Sequence, residues 1–495
     1  MPRVVVVGAG MGGLAAAARL RALGHDVVLC ERAGRTGGKL AGWSRDGFAF
    51  DTGPSLLTLP ATYRDLFLKT GAPLEDVVDL QPVDPAFTYA FADGTRLVLP
   101  NTSRARTREA VGDALGGAAA DDWDALIAHA ARVWERTRRP FLEQGLAPRE
   151  LLALGRDPRA VRDVAPWLTL RGLGRRLLRD PRLRLVLDRY ATYAGSDPRR
   201  APAALCTIPF VEQAFGAWHV AGGLQRLGNA LEQRVLELGV QLRLGAEVTR
   251  VLVEGGRAAG VELAGGERLP ADVVVADADA GLVYGSLLPP LPQTRRALRR
   301  VRRADRSFGG FVLLLALRGR TPGLTHHTVL FPADYDAEFD AVFAGRTAAD
   351  PAVYVCSPDD PAMRPEGGEA WFVLVNAPLH SPGSGSAGTD WRAPGVATAY
   401  ADQVLDLLAA RGLDMRQRLL WSEVRTPADL EAAAGAPGGS IYGSAAHGRA
   451  APLLRPANRS PLPGLFLVGG SAHPGGGLPL VALSAAIVAE QVGAA

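Results

Sequence analysis

Apolar positions follow two rhythms along this chain. Residues 4–7, 27–30, 311–317, 370–375 and 465–468 are short unbroken apolar runs, which predict strands buried on both faces of a sheet. Residues 48–55 and the set Val240, Leu242 and Leu244 alternate instead, as half-buried strands do, and 48–55 ends in a Gly-Pro turn. From about 102 to 192 the spacing becomes helical, with Trp123, Leu126, Ile127, Ala130 and Val133 or Trp134 three and four apart. Within 164–190, Trp167 and eight leucines interleave with seven arginines, and Gly172, Gly174 and Pro181 interrupt any single long helix. Two readings stay open there: a surface helix pair whose arginines face water, or an amphipathic stretch resting on an anionic membrane surface. The basic run 295–306 reads as a solvated helix face.

Between the first two runs lies Gly8-Ala9-Gly10-Met11-Gly12-Gly13, followed at once by the helix formers of residues 14–20. Three of these glycines serve distinct physical ends. Gly8 makes the tight turn, Gly10 lets backbone approach a pyrophosphate, and Gly13 lets helix pack on strand. The amides at such a helix start, with its positive dipole end, suit phosphate. Glu31 closes the second strand, where it can accept hydrogen bonds from ribose hydroxyls. An acid there disfavours a 2′-phosphate, so the ligand is FAD or NAD. Further on, Gly37-Gly38-Lys39 could hold a second stretch of cofactor phosphate or be an exposed turn.

Composition narrows the field. With 495 residues, 47% hydrophobic and 21% charged, the chain is neither disordered nor fibrous. A net charge of +4, in which Lys39 and Lys69 are the only lysines, gives no clustered footprint for nucleic acid. Cys30, Cys206 and Cys356 lie far apart, which argues against a disulfide framework and for a reducing compartment. His326-His327 is the only adjacent histidine pair and is expected to be solvated, so metal is set aside. No leader and no apolar run of about 18 residues is present, which predicts a cytoplasmic protein that does not cross a membrane. Residues 381–388 read as a low-complexity surface linker, and no GxSxG or HExxH motif suggests a hydrolase.

The run from Gly8 through Glu31 to Lys39 resembles the dinucleotide motif of the FAD-dependent amine oxidase and phytoene desaturase superfamily, with Lys39 where arginine is usual. Lysine lacks the fork for a bidentate contact at that position. Residues 48–55 resemble the segment that approaches the flavin there. Trp218-x-x-x-Gly222-Gly223-Leu224 and the run 271–279, which ends in Ala-Asp, resemble the phytoene desaturases. His219, beside that tryptophan, reads as a packed or surface residue. The C-terminal Gly469-Gly470 turn and the loop His473-Pro474-Gly475-Gly476-Gly477-Leu478-Pro479 resemble the ending of bacterial carotenoid desaturases, nearer the hydroxycarotenoid 3,4-desaturase branch. A glycine-rich turn before the final apolar helix again offers amides, here suited to negative charge on a reduced flavin.

The resemblance implies an α/β fold: a discontinuous Rossmann-like FAD-binding domain, a mixed α+β substrate domain and a helical lid or membrane-associating region. The expected division is 1–101, 205–295 and 451–495 for FAD, 102–204 for the helical region and 296–450 for substrate. Cofactor contacts are expected at Gly8, Ala9, Gly10, Met11, Gly12, Gly13, Glu31, Arg32, Gly38 and Lys39. They continue at Gly53, Pro54, Ser55, Val248, Gly469, Gly470, Leu478, Pro479 and Leu480. The implied activity is desaturation of an acyclic carotenoid, phytoene or a later, 1-hydroxylated intermediate, by hydride transfer to the flavin. A quinone or oxygen would be the electron acceptor, and the inner membrane face would be a peripheral partner. No spacing identifies a general base. The alternatives are carotenoid isomerisation or oxidation on the same fold, a flavin amine oxidase, and a non-enzymatic prenyl escort protein. The last would show eroded phosphate glycines, and these are intact.

Overall fold

The structure is a computed structural model that describes the chain except residues 146–147, 384, 386–387 and 449–450 and the side chains of 148, 151, 452 and 453. The expected linker 381–388 therefore lies partly outside the described residues. Five strands build one parallel sheet in the spatial order Leu465–Leu467, Val273–Ala276, Arg3–Val7, Asp26–Cys30, Gln241–Arg243. Numbered along the chain the order is 5-4-1-2-3, the doubly wound arrangement, and the switch between strands one and four opens a crevice at their carboxyl ends. The four valines of 4–7 explain why the first strand sits at the centre. Val4 and Val6 join the core that holds the helices Met11–Ala22, Gln225–Glu237 and Leu478–Val492, whereas Val5 and Val7 pack on the other face with the hairpin Val248–Glu254/Arg257–Leu263.

A second sheet of seven strands runs Leu419–Arg425, Gly309–Arg318, Gly368–Ala377, Val353–Cys356, His327–Leu330, Phe87–Ala90, Arg96–Leu99. Only the His327–Leu330 and Phe87–Ala90 pair is parallel in it. Alternation divides its side chains: Leu313, Leu315, Leu317 and Val373 pack with the helix Val396–Ala410, and Val312, Leu314 and Phe372 pack with Phe48 and Phe50. Phe87 and Arg96 thus stand in the large sheet, so the chain leaves the nucleotide half before the boundary expected at 101. Its return is also later than 205: the helix Thr207–Phe215 belongs to the helical layer, and Trp218–Val220 is the strand that pairs back onto Leu80–Pro82.

The helical layer begins as its spacing predicts. The helix Gly117–Arg138 buries Trp123, Leu126, Ile127, Ala130, Val133 and Trp134. Residues 164–190 form two helices, Leu170–Leu177 and Pro181–Arg189, each started by a side-chain cap from Thr169 or Asp180. Their leucines 170, 173, 178, 183 and 187 lie in the same core as Trp123 and Phe87. These five leucines thus face that core. Many of the arginines hold carboxylates, Arg171 with Asp188 and Asp336, and Arg179 with Asp122. Trp167 is the exception and stays 49% exposed. The helix Arg295–Arg303 has no buried residue, in keeping with a solvated basic face.

Candidate functional site

The first glycine motif sits at the switch point of the small sheet. Gly13 packs so tightly that a Cβ would lie 2.0 Å from the carbonyl oxygen of Gly8, a backbone atom that cannot swing aside. That contact sets the start of the helix Met11–Ala22 on the end of the first strand. The helix has no side-chain cap from Gly10. Among the described residues the buried amides of Met11 and Gly12 have no partner, and that of Gly13 donates to Asp277 Oδ2 at 2.7 Å. Glu31 accepts from the amides of Ala9 at 2.7 Å and Ala33 at 2.8 Å, and each carboxylate oxygen keeps a further lone pair.

The other expected residues gather around this turn. Gly37 bridges to Gly10, and a Cβ on Gly38 would stand 3.1 Å from the Gly10 Cα, so the Gly-Gly pair closes over the motif. Gly469, with Gly470 after it, abuts Gly12 from the fifth strand. Gly53, leading into Pro54 and Ser55, packs on the Lys39 carbonyl. Val248 opens its strand just after Ala246, whose amide donates to the Glu31 carbonyl at 2.8 Å. Leu478, Pro479 and Leu480 start the C-terminal helix, which has no side-chain cap, and Tyr63 OH donates to the Leu478 carbonyl at 2.9 Å.

Two side chains point elsewhere than the sequence suggests. The Arg32 guanidinium donates to the carbonyl of Ala432 at 2.7 Å. The Lys39 ammonium donates to the carbonyls of Ser440 at 3.0 Å and Ile441 at 2.6 Å, and burial lowers its pKa to about 8, with Asp279 and Asp277 opposing. Lys39 therefore ties the loop at 440–441 to the glycines and does not stand free for phosphate.

Asp277 is the cradle residue that motif reading passes over. It follows the fourth strand directly, is largely buried, and its Oδ2 stands 2.5 Å from where a Gly10 Cβ would be. Burial pushes its carboxyl up to about 7, the Glu31 charge adds to this, and the Gly13 amide and Lys39 oppose it. The signal in the sequence is the Ala-Asp-Ala-Asp that ends the run 271–279.

On the large-sheet side the structure assembles groups that no spacing announced. Ser55 Oγ meets Tyr354 OH at 2.8 Å, and Tyr354 OH meets His327 Nδ1 at 2.8 Å. The His326-His327 pair is packed inside rather than solvated, with His327 fully buried and His326 partly so. His326, His327 and Cys356 place their ligand atoms within 4.8 Å of one another. Burial pushes the His326 imidazole down to about 3 and holds His327 well below its ordinary value, so both rings are neutral. His219 is packed, as expected, with Nε2 2.8 Å from Asp360. Asp51 caps the helix Gln225–Glu237 by accepting from Leu224 at 2.7 Å and Gln225 at 2.9 Å.

A cavity of about 530 Å³ opens beside this half, lined in part by Trp167, Leu168, Arg200, Arg303, Leu454 and Arg455. Arg455 reaches inward from it: Nη1 donates to the carbonyls of Tyr442 at 3.0 Å and Gly470 at 2.7 Å. The cavity floor is thus tied to the C-terminal glycine turn.

Known proteins share this architecture and much of this sequence. Residues 11–367 match the family described as flavin containing amine oxidoreductase. The chain is 34% identical over 496 residues to a 4,4'-diapolycopene oxygenase of a Methylomonas species, covering 99% of this chain and 98% of that protein. It is 35% identical over 495 residues to the hydroxyneurosporene desaturase of Cereibacter sphaeroides, with 99% and 97% covered. A lycopene-forming phytoene desaturase of Pseudescherichia vulneris is 31% identical over 499 residues, with 99% of each covered. Among solved structures, an oxidoreductase from Methanosarcina mazei superposes with a TM-score of 0.68 at 18% identity, covering 99% of this chain and 100% of that one. A putrescine oxidase gives 0.65 at 16% identity, covering 99% and 98%. At those identities the likeness speaks for the fold alone.

Proposed function

Because the chain belongs to the flavin-containing amine oxidoreductases and, among them, to the carotenoid desaturase family, we propose that it is an FAD-dependent oxidoreductase that introduces carbon–carbon double bonds into an acyclic carotenoid. One observation carries this reading: the likeness to desaturases runs the whole length of a chain that keeps every phosphate glycine and the ribose acid Glu31.

The cradle fits FAD. Two buried amides, Met11 and Gly12, await an acceptor at a helix start, and the surrounding turns bring backbone and a single side chain, Asp277, to that place. FAD, when bound, supplies the acceptor for the hydride that leaves one carbon of the reacting bond. The unpartnered amides of Met11 and Gly12 would hold the diphosphate, Glu31 would accept from ribose hydroxyls, and Val248 would border the adenine. Gly53, Pro54 and Ser55 would border the flavin ring system. The uncapped start of the helix at Leu478 presents its positive end to the charge that develops there.

The large sheet and the helical layer are the walls that hold a long apolar chain and exclude water. The substrate is phytoene-like or a later, 1-hydroxylated intermediate, and a quinone or oxygen takes the electrons onward. No helix among the described residues is long and apolar enough to cross a membrane. Peripheral contact is supported by the cavity rim, where Trp167 is 49% exposed and Leu454 46% exposed beside Arg303. Those residues, and not the leucines of 170–187, would meet lipid.

A second reading rests on the Methylomonas relative: oxidation of a terminal carbon in place of desaturation. Expression in a bacterial host that makes acyclic carotenoids separates the two. Pigment two hydrogens lighter with a longer chromophore is the expected result; added oxygen supports the second reading, and an unchanged mass with shifted retention points to isomerisation. Unchanged pigment despite bound flavin overturns both carotenoid oxidations.

A further inference from the structure

Arg189 closes the helix Pro181–Arg189 and turns inward, 8% exposed. Its guanidinium carbon lies over four rings, 4.8 Å from the centroid of Phe87, 5.1 Å from Tyr193, 5.7 Å from Tyr354 and 5.8 Å from Tyr89. Nearby arginines hold carboxylates directly, as Arg171 holds Asp188 and Arg199 holds Asp197. Arg189 does not. Its Nη1 donates to Tyr193 OH at 3.1 Å, and the Tyr89 hydroxyl also lies within reach of the guanidinium. Tyr193 OH in turn donates to Glu212 Oε2 at 3.1 Å, and Tyr190 OH to Glu212 Oε1 at 2.5 Å. Glu212 is 3% exposed and stands as the counter-charge one hydroxyl away.

A guanidinium carries five donors, and aromatic faces accept none of them as an oxygen would. Nη1 is taken by Tyr193 OH, which leaves the other donors for whatever lies beside the rings. Four rings and an otherwise apolar core are a suitable wall for a polyene, yet a pure hydrocarbon leaves Arg189 unanswered. The cage also adjoins the cofactor side, because the Tyr354 ring that faces Arg189 carries the hydroxyl bonded to Ser55.

We propose that this cage reads an oxygen-bearing end of the carotenoid, with Arg189 donating to a hydroxyl or carbonyl oxygen of the substrate and Tyr193 holding the guanidinium in place. The inference rests on the desaturase reading for its ligand class and assigns what that reading leaves open, the polar terminus. The aromatic walls hold the adjoining polyene, and Glu212 fixes the two tyrosines that hold Arg189.

The test compares two acyclic carotenoids that differ only in a terminal tertiary hydroxyl. Binding to the FAD-loaded protein is followed by the shift of the polyene absorption band, and kcat/KM is measured beside it. The wild-type protein is expected to bind the hydroxylated partner about tenfold more tightly. Arg189→Met and Tyr193→Phe are expected to bring that ratio close to one. Tyr193→Phe keeps the ring stack, so it reports even if Arg189→Met does not fold. A wild-type ratio of one overturns the proposal, and so do variants that weaken both ligands equally, which would mark a structural role. Because the ratio is read from binding, a protein that binds both and converts neither removes the desaturase reading while still deciding the cage.

Discussion

The nucleotide cradle and the Arg189 cage lie on opposite sides of the Gly53–Ser55 turn and are built from opposite materials. The cradle is backbone: glycines packed on glycines, with amides left open at a helix start. The cage is side chain: a cation, five aromatic rings and one carboxylate, gathered from separate stretches of chain. A backbone site tolerates almost no substitution, because an added Cβ meets atoms that cannot move. A side-chain site can be retuned one residue at a time, which suits the part of an enzyme that distinguishes substrates.

That contrast can be broken in three places. The largest effect is expected from Gly13→Ala, whose Cβ would press on the Gly8 carbonyl at 2.0 Å and lift the helix from the strand. Bound FAD, measured by absorbance after purification, should fall by about a hundredfold in affinity, or about 3 kcal/mol. Affinity close to wild type would mean that the cradle is softer than its packing implies.

Asp277 is the side chain inside the backbone site, and it makes the second test. Its carboxyl is raised to about 7 by burial, so it is protonated below that pH and charged above it. A carboxylate beside a diphosphate repels it, hence FAD affinity is expected to weaken as pH rises through about 7, by at most about tenfold per unit. In the apoprotein the sign is set by a folded value above the unfolded one: the stability this group provides is full below the unfolded carboxyl range and is lost as pH climbs to about 7. Flavin fluorescence titrations between pH 6 and 9 check this. Asp277→Asn should bind more tightly at high pH and lose the slope near 7, leaving only the Lys39 titration near 8. An unchanged slope would assign the effect to Lys39; weaker binding at every pH would make Asp277 a hydrogen-bond acceptor for the cofactor.

The smallest effect is expected at Arg179, which has the same basic, leucine-rich neighbourhood as Arg189 but meets Asp122 at the surface with a 72% exposed side chain. Arg179→Ala should leave the urea midpoint and the preference between the two carotenoids unresolved from wild type. A lost preference would mean that the whole basic stretch, and not one caged arginine, selects the substrate.

How much could be read in advance follows from the same contrast. Gly8 to Gly13 and Glu31 were legible because a turn, a helix start and a strand end must fall within a few residues of one another, whatever the rest of the chain does. The bond between Gly13 and Asp277 spans 264 positions, and no local pattern carries it. The cage is less legible still: Phe87, Arg189, Glu212 and Tyr354 come from two strands and two helices. Charge alternation in 164–190 shows that arginines and leucines interleave, but not which arginine turns inward or that the leucines find a core instead of a membrane. His326 and His327 misled for a related reason, since the strand that His327 begins is covered by Val353–Cys356 on one side and Phe87–Ala90 on the other, both distant in sequence.

The strand order of the small sheet has a consequence for how the protein is made. Its fifth strand, Leu465–Leu467, the glycine that abuts Gly12 and the helix start at Leu478 leave the ribosome long after the first motif. Through most of synthesis the first motif is a finished turn facing an absent wall. A crevice closed on both sides, able to hold FAD, therefore waits for residues 465–480. A truncation just before that strand would keep the whole fingerprint in the sequence and yield a polypeptide with half a crevice.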